Sequence, residues 1–361
     1  MKRESNFEVM RTVAMFFIVV YHCLTHGVGG GYGFCINGFV SVLNLGFSDF
    51  LLVFSSISVN LYVMVSGYFL ADLDFKFSRI LRTWLTVCFY SCVITLIFIS
   101  LSLAPFSIIT LGKSFFPLST DAYWFVTQYI GLLILSPFLS VLVRRLSYWQ
   151  YVGLLIGGAF ICLSIIPDFP LGKRFHVAHG NSVWSFAYLF LIAGFVRHHL
   201  QRLSMPKLLM TMAMLILFTM ACELFFGVQN GQIHLVWFNY NGIPFILSVV
   251  AFILFKQIRI PESKIWNMMV RVAPYTFGVY LIHDHLLVRE WLWKTVGLSS
   301  WCNNPLFPLI VLGLCFLLFV VCALMDTLRK KLFTVFRVDS IMTKIDKWSF
   351  HDKFFTKFTG K

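Results

Sequence analysis

The sequence predicts an all-α, polytopic integral membrane protein, one helical bundle of about ten transmembrane helices with both termini in the cytoplasm. Three observations predict it. Hydrophobic residues make up 59% of the 361 and charged residues only 12%, with 41 Phe, far from the near-half apolar, quarter-charged mix of soluble domains. Apolar stretches of roughly 20 residues, long enough to cross a bilayer, recur between short polar links. The cations also fall on alternate links, so the net charge of +14 has a topological cause and gives no reason to invoke nucleic acid.

Taken in order, the apolar segments lie near 7–24, 50–70, 83–103, 122–143, 150–166, 183–198, 207–227, 234–255, 273–290 and 305–325. Each is read from an unbroken apolar run bounded by charges, Gly or Pro. The stretch 39–70 exceeds one span and contains Gly46, Asp49 and Asn60, so its first part reads as an outer loop or half-helix. With the N-terminus inside, 23 of the 29 Lys and Arg fall on cytoplasmic segments, as the positive-inside rule requires. Lys2 and Arg3 before an apolar run resemble a signal peptide, but Glu8 and Arg11 intrude and no small-residue cleavage site follows, so the first helix is retained.

Seven of the nine cysteines fall in spans as small buried hydrophobes. Cys35 and Cys302 fall in outer loops, where a disulfide is feasible. Residues 327–361 form a separate basic, aromatic tail on the cytoplasmic side, after a membrane domain at 1–326. Nine cations with Phe333, Phe336, Trp348 and Phe350 suit either a headgroup-bound segment or a solvated one.

The first segment carries Arg11 and His22. Ionisable groups inside a span are expensive and mark function by default. Eleven residues at about 100° each bring them to one face, about 16 Å apart along the axis. Glu8, three residues before Arg11, can pair with it or leave it free to bind a donor. Further on, Arg79 and Arg82 sit one turn apart at an inner boundary, and Tyr280 and His283 share a face at three-residue spacing. His283, Asp284 and His285 look like a metal or triad fragment, but neighbours in a helix splay to different faces, so no metal site is expected and His283 alone is kept. Glu223 in the seventh span and His176, His179 and Asn181 in an outer loop are secondary candidates. There is no Gly-x-Ser-x-Gly, Walker A or His-Glu-x-x-His pattern, and no clear internal repeat.

The segment FEVMRTVAMFFIVVYH at 7–22, with VNLYVMVSGYFL at 59–70, RILR at 79–82, AYWFVTQYIGLLILSPFL at 122–139 and FGVYLIH at 277–283, resembles in its order the acyltransferase 3 family of membrane acyltransferases. The resemblance covers nearly all of residues 7–325. It implies transfer of an acyl group, usually acetyl from cytoplasmic acetyl-CoA, to a hydroxyl of a surface polysaccharide or its lipid-linked precursor, of O-antigen or capsule type, at a bacterial inner membrane. No cofactor is expected beyond acetyl-CoA as donor substrate. Partners are the donor, the glycan acceptor and membrane lipid.

Position by position, His22 and Arg11 match the family's essential first-helix pair, Arg79 and Arg82 its Arg-x-x-Arg motif, Ser66-Gly67 its Ser-Gly-Tyr/Phe segment, and His283 its late Tyr-Leu-x-His. Asn60-Leu61-Tyr62 stands where many members have paired Phe, and Tyr129 and Tyr280 lie within matched motifs. His22 is expected to act as general base on the attacking hydroxyl, or as a transient acyl carrier. Arg11 is expected to line the donor's route, and Arg79 and Arg82 to meet the phosphates of CoA. The alternative class is a transporter or flippase for a glycolipid or small acid, in which the same charges line a pathway.

Overall fold

A 23-residue apolar helical stretch, Ser5–Gly27, runs through the middle of the molecule. The structure, a computed structural model, describes residues 4–29, 38–120, 122–163, 180–229, 232–233 and 242–347, excepting the side chains of 223–229 and 232–233. Helix α1 spans Ser5–His22 and is followed by a π-helical turn, Cys23–Gly27. Its apolar residues are not confined to one stripe: Phe7, Met10, Ala14, Met15, Val19 and Val20 are all buried, the pattern of a helix surrounded by protein.

The helices α2 (Phe39–Ser56), α3 (Ser58–Leu70), α4 (Phe77–Ser100), α5 (Ile108–Phe115), α6 (Trp124–Arg145), α7 (Tyr148–Cys162) and α8 (Val183–His198) follow. Then come α9 (Met205–Gly227), a two-stranded antiparallel hairpin of β1 (Val228–Gln229) and β2 (Gln232–Ile233), and α10 (Ile243–Gln257). Helices α11 (Lys264–Val272), α12 (Thr276–His283), α13 (Leu286–Val296), α14 (Phe307–Val335) and α15 (Val338–Asp346) are the last among the described residues. Local signals start several of them: Ser107, Ser182 and Ser263 cap α5, α8 and α11, and Ser147 with Gln150 forms a capping box on α7. Helix α1 packs on α2, α3, α11, α12 and α14, and α3 lies along α8. Gly67 permits that last approach, since a Cβ there would stand 2.7 Å from the Cα of Phe190.

Six helical stretches among the described residues are long and apolar enough to cross a membrane: Ser5–Gly27, Phe39–Leu70, Phe77–Ser100, Trp124–Arg145, Met205–Cys222 and Phe307–Val335. The ten expected spans therefore do not all appear at full length. The expected fifth, sixth and eighth are apolar helices of 15 or 16 residues, about 22–24 Å long against a hydrocarbon core of about 30 Å. The expected ninth, 273–290, is not one helix: it breaks at Asp284–His285 between α12 and α13. The first part of 39–70, expected as a loop or half-helix, is instead the regular helix α2, because Asn44 and Ser48 find backbone partners and need no water. The Asn44 amide donates to the carbonyls of Cys302 and Asn304, and Ser48 to that of Asn44.

Large apolar side chains stand on outer faces, among them Leu209, Met210, Met214 and Leu217 of α9 and Leu309, Phe316, Leu317 and Leu324 of α14. With every backbone group satisfied inside a helix, such faces suit lipid. Helix α14 runs past residue 327, where the tail was expected to begin, as far as Val335. Arg337, in the left-handed region at φ 51°, turns the chain so that α15 lies back on α4. Cys302 is buried, while Cys35, the remainder of the tail, His176 and His179 lie outside the described residues, as does the side chain of Glu223.

Candidate functional site

Because α1 is central, Arg11 and His22 both reach neighbouring helices, and they do so at opposite ends. At the Arg11 end, the guanidinium donates to the buried Glu8 carboxylate at 2.9 Å and lies over the Phe69 ring at 5.9 Å. Arg197 of α8 shares that ring at 5.9 Å, covers Tyr68 at 4.7 Å, donates to the Tyr68 carbonyl and pairs with Asp72 at 2.5 Å. Lys256 of α10 donates to the carbonyls of Val196 and Leu200. Two cations, Arg11 and Arg197, thus share one aromatic ring, each with its own carboxylate. Sequence reading assigned Arg197 and Lys256 only to orientation, since nothing in their spacing ties them to Arg11.

The other end holds the histidines. His22 Nδ1 lies 2.9 Å from Nε2 of His283, and His283 Nδ1 lies 2.6 Å from the carbonyl oxygen of Val279. A carbonyl only accepts, so Nδ1 of His283 carries its proton. In the neutral pair, Nε2 of His283 is then the acceptor and His22 must donate from Nδ1. The lone pair of His22 is thereby fixed on Nε2. Asp284 Oδ1 is 3.6 Å from His22 Nδ1 and 3.4 Å from Arg289 Nη1.

His22 also lines a narrow cleft of about 20 Å³ with Tyr21, Ser55, Tyr62, Trp124, Phe125, Tyr280 and neighbouring apolar residues. Its walls come from α1, the α2–α3 junction, α6 and α12. Tyr280 lies 6.5 Å from His22 between ring centroids and 5.7 Å from Phe125, and Phe125 stacks on Tyr129 at 5.6 Å. Below Tyr129, its hydroxyl and that of Ser66 are 3.0 Å apart, and Tyr62 bonds Thr276 at 2.9 Å. Tyr62 meets Phe125 at 6.2 Å, so Phe125 joins Tyr62, Tyr129 and Tyr280 in a column of aromatic rings that ends beside His22.

The sequence-derived candidates divide accordingly. His22 and Tyr280 line the cleft and His283 backs His22 from the buried side; Ser66 and Tyr129 meet each other; Arg11 meets Glu8. Arg79 donates to the Asp74 carbonyl at 2.8 Å, whereas Arg82 turns to Asp339 of α15 at 2.6 Å, and Ser78 donates twice to Asp346 of the same helix, at 3.1 and 2.6 Å. Asn60 donates to Ser248 of α10 at 3.3 Å, a tie between helices away from the cleft lining. The splaying argument at 283–285 presupposed one continuous helix. Since α12 ends at His283, Asp284 turns back beside His22, while His285 caps α13 by accepting from Leu287 N–H at 3.3 Å. His26 and Arg289 were not singled out; the spacing of His26, four residues after His22 on one face, was the available signal.

Residues 4–326 match a family described as an acyltransferase domain. Among curated proteins and among solved structures, none matches.

Proposed function

From the premise that this chain belongs to the acyltransferase 3 family and is a membrane acyltransferase, we propose that it moves an acetyl group from cytoplasmic acetyl-CoA to a hydroxyl of a surface polysaccharide or its lipid-linked precursor, of O-antigen or capsule type, in a bacterial inner membrane. The observation that carries the reading is the His22–His283 pair at the wall of the cleft. An imidazole whose lone pair is fixed by its partner's hydrogen bond is what a base acting on a neutral hydroxyl needs.

The phosphates of the donor meet the cations near Arg11, Arg79 and Arg197, and its thioester arm runs up the column of Tyr62, Ser66 and Tyr129. Arg11 and His22 lie about 16 Å apart on one helix, so Arg11 positions the donor and does not touch the reacting carbonyl. The acceptor hydroxyl enters beside His22. As its oxygen bonds to the acetyl carbon, its proton passes to His22 Nε2; when the C–S bond breaks, the leaving sulfur takes that proton and CoA departs as the thiol. Asp284 stabilises the His22 cation formed between these steps, and His283 holds the ring throughout.

The test is transfer of label from acetyl-CoA to isolated glycolipid in membranes containing the protein. His22→Ala should lower the rate by about 10²–10⁴, the usual contribution of a positioned acid–base group. Transfer left intact in that variant overturns the assignment, and label that never reaches the glycan overturns the acceptor class.

A further inference from the structure

We propose that His22, His26 and Asp284 form a binding site for a dication of the zinc class, and that its occupancy silences acyl transfer. Each residue offers one ligand atom, and the three atoms lie within 4.8 Å of one another. Some point then lies within about 2.8 Å of all three, against bond lengths of about 2.0–2.2 Å for zinc with imidazole and carboxylate, so each side chain has to close by less than an ångström. His22 and His26 stand at the i, i+4 spacing by which one helix face offers two imidazoles to a metal. Asp284 supplies the third ligand from the break between α12 and α13, a set of two nitrogens and one oxygen suited to zinc, copper or nickel and poorly suited to magnesium or calcium.

The surroundings fit as well. His26 is exposed while His22 is partly buried and Asp284 buried, so an ion has a path in from the outside and a coordination position left for water. With the metal on Nε2 of His22, His283 Nε2, 2.9 Å from His22 Nδ1, orients the liganding ring as outer-shell partners of metal-bound histidines do. Arg289, 3.4 Å from Asp284, opposes a dication and keeps binding reversible.

The silencing half of the proposal rests on His22 being the base; the binding half does not. Either ring nitrogen of His22 can take the metal with the same consequence. A metal on Nε2 occupies the lone pair that would accept the hydroxyl proton. A metal on Nδ1 drives the remaining proton to Nε2, and the base is again lost.

The experiment uses the full chain purified in detergent, equilibrated with about 10 µM Zn²⁺ in excess over protein, separated from free ion and analysed for metal. The expected result is one His26-dependent zinc per chain, absent in His26→Ala, with magnesium or calcium at the same concentration failing to displace it. In membranes, zinc should inhibit acetyl transfer by the natural sequence at least tenfold more strongly than by His26→Ala, whose activity without zinc equals that of the natural sequence. Zinc content unchanged by His26→Ala overturns the site. Zinc bound through His26 without inhibition overturns the silencing, and if His22→Ala retains transfer, the catalytic reading fails while the site stands.

Discussion

Replacing His283 tests whether the histidine pair is a working unit. The bond from His22 Nδ1 to His283 Nε2 is 2.9 Å and His283 is fully buried, so no water substitutes readily. Between neutral rings such a bond is worth about 0.5–1.5 kcal/mol, but when His22 takes a proton it becomes charge-assisted and strengthens to about 1.5–3 kcal/mol. Only the strengthening, about 1–1.5 kcal/mol, appears in turnover, so His283→Ala should reduce kcat by about 5- to 13-fold with KM for acetyl-CoA nearly unchanged. His283→Gln places an amide oxygen roughly where Nε2 was and should recover part of the loss. The assay is initial-rate acetyl transfer in membranes across donor concentrations, with size-exclusion profiles confirming that both variants fold. A kcat within about twofold of the natural sequence in His283→Ala, or a loss confined to KM, refutes the orienting role.

Other perturbations follow from the same contacts. Asp339→Asn releases Arg82 from an exposed ion pair of 2.6 Å; such pairs are worth about 0.2–1 kcal/mol, so apparent KM for acetyl-CoA should fall by up to about fivefold, and an unchanged or higher KM removes Arg82 from the donor's path. Gly67→Ala puts a methyl 2.7 Å from the Phe190 backbone and should destabilise the α3–α8 contact by about 1–3 kcal/mol, read as a lower unfolding midpoint in detergent. Asp326 is fully buried and accepts from Tyr90 at 2.6 Å and from Arg329 at 2.7 and 3.0 Å. Asp326→Ala strands the guanidinium and should destabilise by about 3–5 kcal/mol; a midpoint shift as small as that of an ordinary surface substitution contradicts the network's role.

Hydropathy made the class and the helix locations legible because the bilayer imposes a coarse and uniform demand for about 20 apolar residues. It could not reveal that α7, α8 and α10 are short, since a 15-residue apolar helix and a flanking apolar turn read alike along the sequence. Within the site, residues on one helix were accessible to periodicity: Arg11 with Glu8 and Tyr280 with His283 are neighbours by spacing alone. The pairing of His22 with His283, 261 residues apart, depends on how α1 meets α12, and motif order supplied it only as membership of a set. Arg82 was read as free because Asp339 lies in a segment treated as tail. Asp284 was discarded through an assumption of helical continuity that the break after His283 removes.

Among the described residues, that break and two others lie beside the cleft, and together they explain where the site is. Backbone that departs from regular helix within a membrane protein needs protein or a cavity around it to satisfy its polar groups. The first departure is the π turn beginning at Cys23, directly after His22; such turns concentrate at functional sites. A second is Ile57, which interrupts the apolar stretch 39–70 between Ser55 and Val59, both of which line the cleft. The third is Asp284–His285, immediately after His283. Uninterrupted helices would satisfy the backbone equally well and pack more simply, so three interruptions at one cleft call for a local reason. Each one redirects side chains: the π turn offers His26 as well as His22, Ile57 separates Ser55 from Tyr62 across the wall, and the third brings Asp284 back toward His22. The chemistry therefore sits where the helices fail to be regular, and a span-counting reading, which treats every apolar run as a rod, passes over it.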